Sequence, residues 1–325
     1  FPPMGCRAFL SVFKDENNEP IFYGRGNLGV CSVNLPYAAL ESGGDLDKFW
    51  TLLGEKLELA RQVCELRYEK LRGVKASIAP ILWQHGAIAR LNPDDDILKA
   101  IDERGFTVTI GYSGLYETVK YLTGKSHTTK EGFELAEKIM RVMRDTLGNF
   151  KINQPHLRFA LYGTPQESTT GWFSDKLKKR FGEIKDITDK GWITNSYHID
   201  IREEIDAFEK LNIESKLQRY STGGAVSYVE TNPMADNVEA ILKLYEHMYE
   251  TIIYAEINFE SDVCGVCKYS GVMDNDPETL DWVCPVCGNR DQTKLSVVRR
   301  TCGYLGETTW TKGRKLDILN RVKHL

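Results

Sequence analysis

No apolar run in these 325 residues approaches the roughly 20 that a membrane-spanning helix requires, so no span is expected. No signal-peptide pattern is visible either. Positive charge is not in excess. The 42 Lys and Arg residues stand against 46 Asp and Glu, a net charge of −4, which removes any global attraction to nucleic acid or anionic membranes and leaves only local basic patches. The six histidines show no metal-ligand spacing. Cysteine is sparse: eight residues, four in tight pairs at 264/267 and 284/287 and four scattered at 6, 31, 64 and 302. That is not the dense framework of a small secreted domain, and it points to a reducing cytoplasm. Internal repeats, low-complexity tracts and long linkers are also missing. What remains is a chain with 27% charged and 42% hydrophobic residues, ordinary for a globular protein, and long enough for one large domain or two unequal ones. It opens on Phe1-Pro2-Pro3 with no methionine, and Cys6 arrives before any element has formed, which reads as a start inside a larger protein.

The hydrophobic patterns alternate between strand and helix. Residues 8–13, 30–35, 79–83, 106–110, 157–162, 196–201, 225–229 and 252–258 read as strands. Residues 45–72 form the longest helical pattern, with Phe49, Leu52, Leu53, Leu57, Leu59, Ala60, Val63 and Leu66 near helical spacing and Gly73 as the stop. Further helices are expected at 114–122, 129–147 and 235–249. Thr164-Pro165-Gln166-Glu167 has the makings of a helix start, with Thr164 as N-cap, Pro165 at the first position and Glu167 three residues after the cap. The alternation argues an α/β architecture with a largely parallel sheet. Composition shifts only near residue 260, giving three expected segments: 1–260, 261–292 and 293–325.

The second segment carries the clearest chemical signal. Cys264-x-x-Cys267, then sixteen residues, then Cys284-Pro285-Val286-Cys287 has zinc-ribbon spacing. Two residues between cysteines let both thiolates of a knuckle reach one ion, and two knuckles complete a tetrahedral S4 set. Four protein ligands leave no position for water, so the zinc is expected to be structural; the same set also suits iron or an iron–sulfur cluster. Gly288-Asn289 turns the chain out of the second knuckle, and residues 294–298 continue as a short strand, so the ribbon is expected to aim the loop that follows. A ribbon alone is equally at home in nucleic-acid-binding proteins.

That loop reads Arg299-Arg300-Thr301-Cys302-Gly303-Tyr304-Leu305-Gly306. Glycines so placed ordinarily make a tight turn. A glycine Cα–H is also unusually weak, because its radical is delocalised between amide nitrogen and carbonyl and no side chain opposes planarity. A thiol S–H bond has comparable strength, so hydrogen can pass between a glycine on a rigid loop and a cysteine facing it in a dry pocket.

The chain resembles the C-terminal half of the anaerobic (class III) ribonucleoside-triphosphate reductases, and the motifs match in order. They are Pro3-Met4-Gly5-Cys6-Arg7; Gly24-Arg25-Gly26-Asn27-Leu28-Gly29 with Asn34-Leu35-Pro36; Ala79-Pro80-Ile81-Leu82; and Gly111-Tyr112-Ser113-Gly114 with Glu117. Then come Thr164-Pro165-Gln166-Glu167, Thr188-Asp189-Lys190-Gly191, Thr194-Asn195-Ser196-Tyr197-His198, the ribbon, the Gly303 loop and Arg321-Val322-Lys323-His324. The resemblance implies half of a ten-stranded α/β barrel followed by a zinc ribbon and a glycyl-radical loop. It implies that Gly303 stores the radical and that Cys6 becomes the transient thiyl abstracting the ribose 3′ hydrogen. Met4 and Asn27 match positions of the formate-using branch, Asn27 offering donor and acceptor to a small carboxylate or to ribose hydroxyls; a turn residue between two glycines is the alternative for Asn27, and a thioredoxin-type dithiol the alternative reductant. Thr164, Gln166 and Glu167 are expected to contact the triphosphate through free N–H groups and the helix dipole, with a plain helix cap as the alternative. Gly223-Gly224 is a weaker candidate, and Cys31, Cys64 and Cys302 read as structural or incidental.

The partners implied are ribonucleoside triphosphates, formate, an activase using S-adenosylmethionine and an iron–sulfur cluster, the other half of the barrel with a second active-site cysteine, and a second copy in a homodimer. No nucleic-acid partner and no membrane are expected. Two other readings compete. A formate-lyase or diol-dehydratase relative is disfavoured by the ribbon before the glycine and by the lack of adjacent cysteines. A zinc-ribbon nucleic-acid-binding protein leaves most of the α/β chain unexplained.

Overall fold

The structure, a computed structural model, describes residues 3–5, 7–150, 158–166, 169–234, 236–300, 305–307 and 310–325. A hairpin of β1 (Pro3–Met4) and β2 (Ala8–Phe9) precedes β3 (Asn27–Asn34), which runs into α1 (Leu35–Ser42) and the long α2 (Leu46–Glu69). Short helical turns α3 (Pro80–Trp83) and α4 (Leu98–Glu103) lead to β4 (Thr107–Ser113), α5 (Leu115–Thr123), α6 (Lys130–Asn149), β5 (Arg158–Tyr162) and α7 (Thr169–Phe181). Next come α8 (Ala207–Gln218), β6 (Ser227–Glu230), α9 (Val238–Thr251) and β7 (Ala255–Asn258). The C-terminal part holds β8 (Asp262–Cys264), β9 (Ser270–Gly271), β10 (Asp274–Asn275), β11 (Trp282–Val283), β12 (Leu295–Ser296), β13 (Val298–Arg300), β14 (Leu305–Glu307) and α10 (Lys312–Leu319). Among the described residues no helix is long and apolar enough to cross a membrane.

Two compact units divide the chain: residues 1–112, 137–164 and 219–225 form one, residues 113–136, 165–218 and 226–325 the other. In the first, β3, β4 and β5 make a sheet in that order, with β4 and β5 parallel from Thr107 opposite Arg158 to Gly111 opposite Tyr162. Every residue of β4 is buried, as expected of a central strand covered on both faces. Helix α2 packs on α1 and β3. Its Phe49, Leu53, Leu57, Ala60, Cys64 and Tyr68 are buried at spacings of three and four, one face of a helix, and Asp45 caps it by accepting from Lys48 N at 2.9 Å.

In the second unit β6 and β7 pair in parallel. Ala207 and Leu211 of α8 and Leu244 and Met248 of α9 pack with Val229 and Ile252 into one core. A separate core surrounds the cysteine pairs: Cys264, Met273, Trp282, Cys284, Leu295, Val297 and Ile318, with Tyr269 and Trp310 against it. Helix α10 crosses α7 glycine on glycine. A Cβ at Gly313 would lie 2.7 Å from Gly171 Cα and 2.8 Å from Gly191 O and would displace backbone, while one at Gly171 would press on Gly313 Cα at 3.2 Å.

The mixed α/β class and most elements agree with the sequence patterns, and four local expectations do not. Residues 80–83 are helical, not extended: after Ala79, Pro80 opens a turn in which Leu82 N and Trp83 N both donate to Ala79 O, at 3.0 and 3.1 Å. Residues 196–201 are turns. Ser196 has φ 44°, His198 N closes onto Asn195 O at 3.1 Å, and the Glu214 carboxylate replaces a strand partner by accepting from Ile199 N at 3.0 Å. The expected strand at 8–13 is confined to Ala8–Phe9. Thr164 does not cap the expected helix: its hydroxyl bonds backward to Tyr162 O at 3.3 Å, and Thr164–Gln166 are not helical. The described helix runs Thr169–Phe181, with Thr170 N donating to Gln166 O at 3.4 Å.

Candidate active site and metal centre

The β1–β2 hairpin pairs Pro3 with Phe9 and Met4 with Ala8, with Gly5 at φ 79° in its turn; Met4 is half-buried, and Cys6 lies outside the described residues. The hairpin is seated by backbone. Phe9 N donates to Gly223 O at 2.8 Å, Gly223 N to Leu161 O at 2.7 Å, and Gly163 N to Gly224 O at 2.9 Å. The buried Arg7 adds Nη1 to Gly163 O at 3.2 Å. Gly224 has φ 104°, and a Cβ there would overlap Arg7 O and come within 2.7 Å of Phe9 N. The two adjacent glycines, a weak signal in the sequence, are thus a close backbone approach under the hairpin. Gly224→Val is expected to destabilise the protein by about 3 kcal/mol and to unseat the hairpin. Denaturant unfolding against Gly182→Ala, a control at a positive-φ glycine with open space around it, checks this; equal shifts would refute it.

Asn27 opens β3. Its Oδ1 accepts from Gly29 N at 2.8 Å and its Nδ2 donates to Thr109 Oγ1 at 3.1 Å, so the amide holds the start of β3 to β4. Thr109 Oγ1 also faces Asn27 Oδ1 at 3.4 Å, so among the described residues only the second Nδ2 hydrogen is without a partner. Thr164 Oγ1 also accepts from Ser32 Oγ at 3.2 Å. Gln166 is buried: its Oε1 takes the Ser113 hydroxyl, its carbonyl accepts from Arg314 Nη2 at 3.2 Å, and its Nε2 has no partner among the described residues. Glu167 lies outside the described residues. Cys64 is buried in α2, where burial first and Cys31 second push its thiol up to about 12, in keeping with an inert structural cysteine.

The motifs at Glu117, 188–191 and 194–198 converge on a buried ionic cluster. Lys190, fully buried, donates to Glu117 Oε1 at 2.6 Å and to Asp200. Glu117 Oε1 also accepts from Thr194 N at 2.7 Å and Thr194 Oγ1 at 2.8 Å, while Arg202 Nε reaches Asp200 Oδ1 at 2.8 Å. Burial opposes ionisation of Asp200, but Lys190 and Arg202 outweigh it and hold its carboxyl below the usual carboxylate range. Stability from this pairing is present above the unfolded carboxylate pKa and is lost as pH falls through the folded value. Removing one partner would strand a buried charge. The cluster therefore ties the irregular loop that carries Lys190, Thr194 and Asp200 to Glu117 of α5.

Four sulfurs face one another in the second unit. Cys264 Sγ is 3.7 Å from Cys287 Sγ, Cys267 Sγ is 3.6 Å from Cys284 Sγ, and all four lie within 4.8 Å of one another. A tetrahedral ion with Zn–S bonds of ~2.3 Å places its sulfurs about 3.8 Å apart, so the four cysteines fit a zinc site. The knuckles are built alike. Lys268 N donates to Cys264 O and Gly288 N to Cys284 O, both at 2.9 Å, with φ 64° and 69° at these two residues. The backbone N–H of Cys267, with that of Val266, lowers the Cys264 thiol to about 6, and Asn289 Nδ2 lies 3.9 Å from its sulfur.

From this centre the chain passes to the β13–β14 hairpin, where Arg300 faces Leu305. Strand β12 pairs with β8, setting Leu295 opposite Cys264. Arg299, buried, forks onto the Asp262 carboxylate, Nη2 to Oδ2 at 2.7 Å, and lies 5.2 Å above the Trp282 ring. Asp262 Oδ2 also accepts from Met273 N at 2.9 Å. The ribbon thus grips the strand that leads into residues 301–304, among them Gly303, which lie outside the described residues. Sequence reasoning had no signal for the Arg299–Asp262 pair beyond its two charges.

Residues 1–324 match the sequence model of a family described as anaerobic ribonucleoside-triphosphate reductase. The chain belongs to this family. It is 37% identical over 330 aligned residues to the anaerobic ribonucleoside-triphosphate reductase of Escherichia coli K12, covering 99% of this chain and 46% of that protein. With the reductase of Enterobacteria phage T4 it shares 37% identity, covering 99% of this chain and 53% of the relative. The chain therefore spans about half the length of the curated reductases it matches. In fold it is similar to a solved anaerobic ribonucleotide reductase, with TM-score 0.68 and 19% identity, covering 96% of this chain and 47% of that one. It is also similar to the B12-independent glycerol dehydratase of Clostridium butyricum, with TM-score 0.59 and 12% identity, covering 94% and 45%. Within the reductase family the ordered motifs fall into structural groups here: a seated N-terminal hairpin, a buried ionic loop, and a four-cysteine centre holding a second hairpin.

Proposed function

We propose that the chain is the part of an anaerobic ribonucleoside-triphosphate reductase that carries both radical positions, Cys6 and Gly303. The observation that carries this reading is the family match from residue 1 to 324, with 37% identity to named reductases. The build of the chain supports it. Position 6 lies between the strands of a hairpin anchored by backbone bonds, and position 303 between the strands of a hairpin gripped by the cysteine centre. Zinc is the proposed ion, in a structural role: four thiolates leave it no open coordination position.

In the proposed reaction Gly303 stores the radical and passes it to Cys6, whose thiyl takes the ribose 3′ hydrogen. The 2′ hydroxyl leaves as water. Formate supplies two electrons and departs as carbon dioxide, one further proton enters from solvent, and the hydrogen returns to C3′ as the thiyl reforms. Asn27, whose Nδ2 keeps one hydrogen without a partner among the described residues, is proposed to orient formate or the ribose hydroxyls, and Met4, in β1, is proposed to act beside the thiyl position. Thr164, Gln166 and Glu167 are proposed to meet the triphosphate, and Gln166 Nε2, without a partner among the described residues, is the donor that favours this. The radical is installed by a separate activase using S-adenosylmethionine and an iron–sulfur cluster. The α/β part is proposed as half of a ten-stranded barrel, completed by sequence outside these 325 residues and working as a cytoplasmic homodimer.

The test is anaerobic incubation with activase, formate and a ribonucleoside triphosphate, with deoxynucleotide measured. The full-length protein is expected to turn over and residues 1–325 alone are not. Turnover by the 325 residues alone would overturn the half-barrel proposal. No turnover by an activated full-length protein would overturn the function.

A further inference from the structure

We infer that Arg321 is a positioning residue for the Gly303 loop, holding from behind the strand that enters it; this rests on the reading of Gly303 as the radical site. Arg321 Nη1 donates to the carbonyl of Arg300 at 2.9 Å and to Glu230 Oε1 at 3.0 Å, while its Nε reaches Asp317 Oδ1 at 3.1 Å. Arg300 is the last residue of β13, and its carbonyl immediately precedes residues 301–304. One planar, buried guanidinium thus joins the end of β6, the helix α10 and the entry to the loop.

The surrounding contacts explain why Arg321 itself does not shift. Glu230 exchanges backbone bonds with the chain segment that bears Arg321: His324 N donates to Glu230 O at 2.7 Å and Glu230 N donates to His324 Nδ1 at 2.8 Å. Val322 N donates to Ile201 O at 2.9 Å and Ala207 N to His324 O at 3.2 Å. Burial of His324, with Lys210 adding to it, holds its imidazole down to about 3, so Nδ1 stays an acceptor at neutral pH. The segment 321–324 is therefore pinned to β6, and Arg321 transmits that fixed position to the Arg300 carbonyl. Arg299 grips the same strand from the ribbon side. The entry to the loop is held by two arginines acting on neighbouring residues, one answering to the metal centre and the other to the sheet.

Hydrogen transfer between a glycine and a thiol is steep in distance, and a misplacement of about 1 Å can cost on the order of a hundredfold in rate. In the full-length enzyme, activated anaerobically, Arg321→Gln is expected to lower kcat ten- to a hundredfold with the nucleotide KM unchanged. The glycyl radical should still be installed, and it should decay faster than in the wild type. Arg321→Lys, which keeps one donor for the Arg300 carbonyl, should recover part of kcat. Zinc content and thermal melting are measured on each variant. If Arg321→Gln melts well below the wild type or loses zinc, or if kcat and radical decay are unchanged, the positioning role is wrong. If the wild type itself shows no glycyl radical after activation, the failure lies in the assignment of Gly303.

Discussion

Gly303→Ala is expected to abolish the organic radical signal and all nucleotide reduction, whereas Cys6→Ala keeps the signal and loses turnover. Alanine would place a methyl group on the carbon that becomes planar in the proposed radical, opposing the delocalisation on which storage at Gly303 depends. In the proposed reaction Cys6 acts later, on substrate, so its loss should leave storage untouched. The expected effect is the whole of the radical contribution to rate, down to background. Exposure of the activated enzyme to air should also cut the backbone at Gly303 and release a short C-terminal peptide, which mass spectrometry identifies. An intact chain after a confirmed radical signal would count decisively against Gly303.

The second large effect concerns the metal centre. Loss of one thiolate, as in Cys284→Ser, is expected to release the ion and to unfold the core of Met273, Trp282, Leu295 and Val297 around it. Structural zinc contributes about 10–16 kcal/mol to the folding of zinc-finger peptides, more than the side-chain core of a ribbon this small can replace. Because Asp262 and Leu295 belong to the ribbon and hold β13 through Arg299 and the chain itself, the radical yield should fall with the metal. Metal analysis together with spin quantitation checks this, and zinc rather than iron is expected, at one ion per chain. A metal-free variant with full radical yield would separate the ribbon from the loop.

Much of the architecture was legible. The spacing of Phe49, Leu53 and Leu57 announced α2, and two C-x-x-C pairs sixteen residues apart announced a centre whose sulfurs lie within 4.8 Å of one another. Where reading failed, buried polar side chains had taken over the work of secondary structure. Residues 196–201 alternate like a strand, yet their backbone bonds go to Leu115, Asn195, Val322 and the Glu214 carboxylate, and Tyr197 is held by Ser227 at 2.9 Å and Gln218 at 2.9 Å. Such contacts span long stretches of sequence and leave no periodicity. At 79–83 the apolar residues suggested a strand, while Pro80 favoured a helical first turn and prevailed. The roles of Gly224 and Arg321 were hidden for the same reason: each serves a partner more than ninety residues away or a backbone atom, and neither kind of partner is written locally.

The crossing of α7 and α10 carries a different kind of consequence. Most tight contacts between helices leave a family room to drift, because a larger residue on one side can be offset by a smaller one opposite. Gly171 and Gly313 meet with no side chain on either, so that route is closed: no residue is smaller, and a change at either position has no compensating change at the other. The pair should behave as a single character across relatives, kept together or lost together with a wider spacing of the two helices.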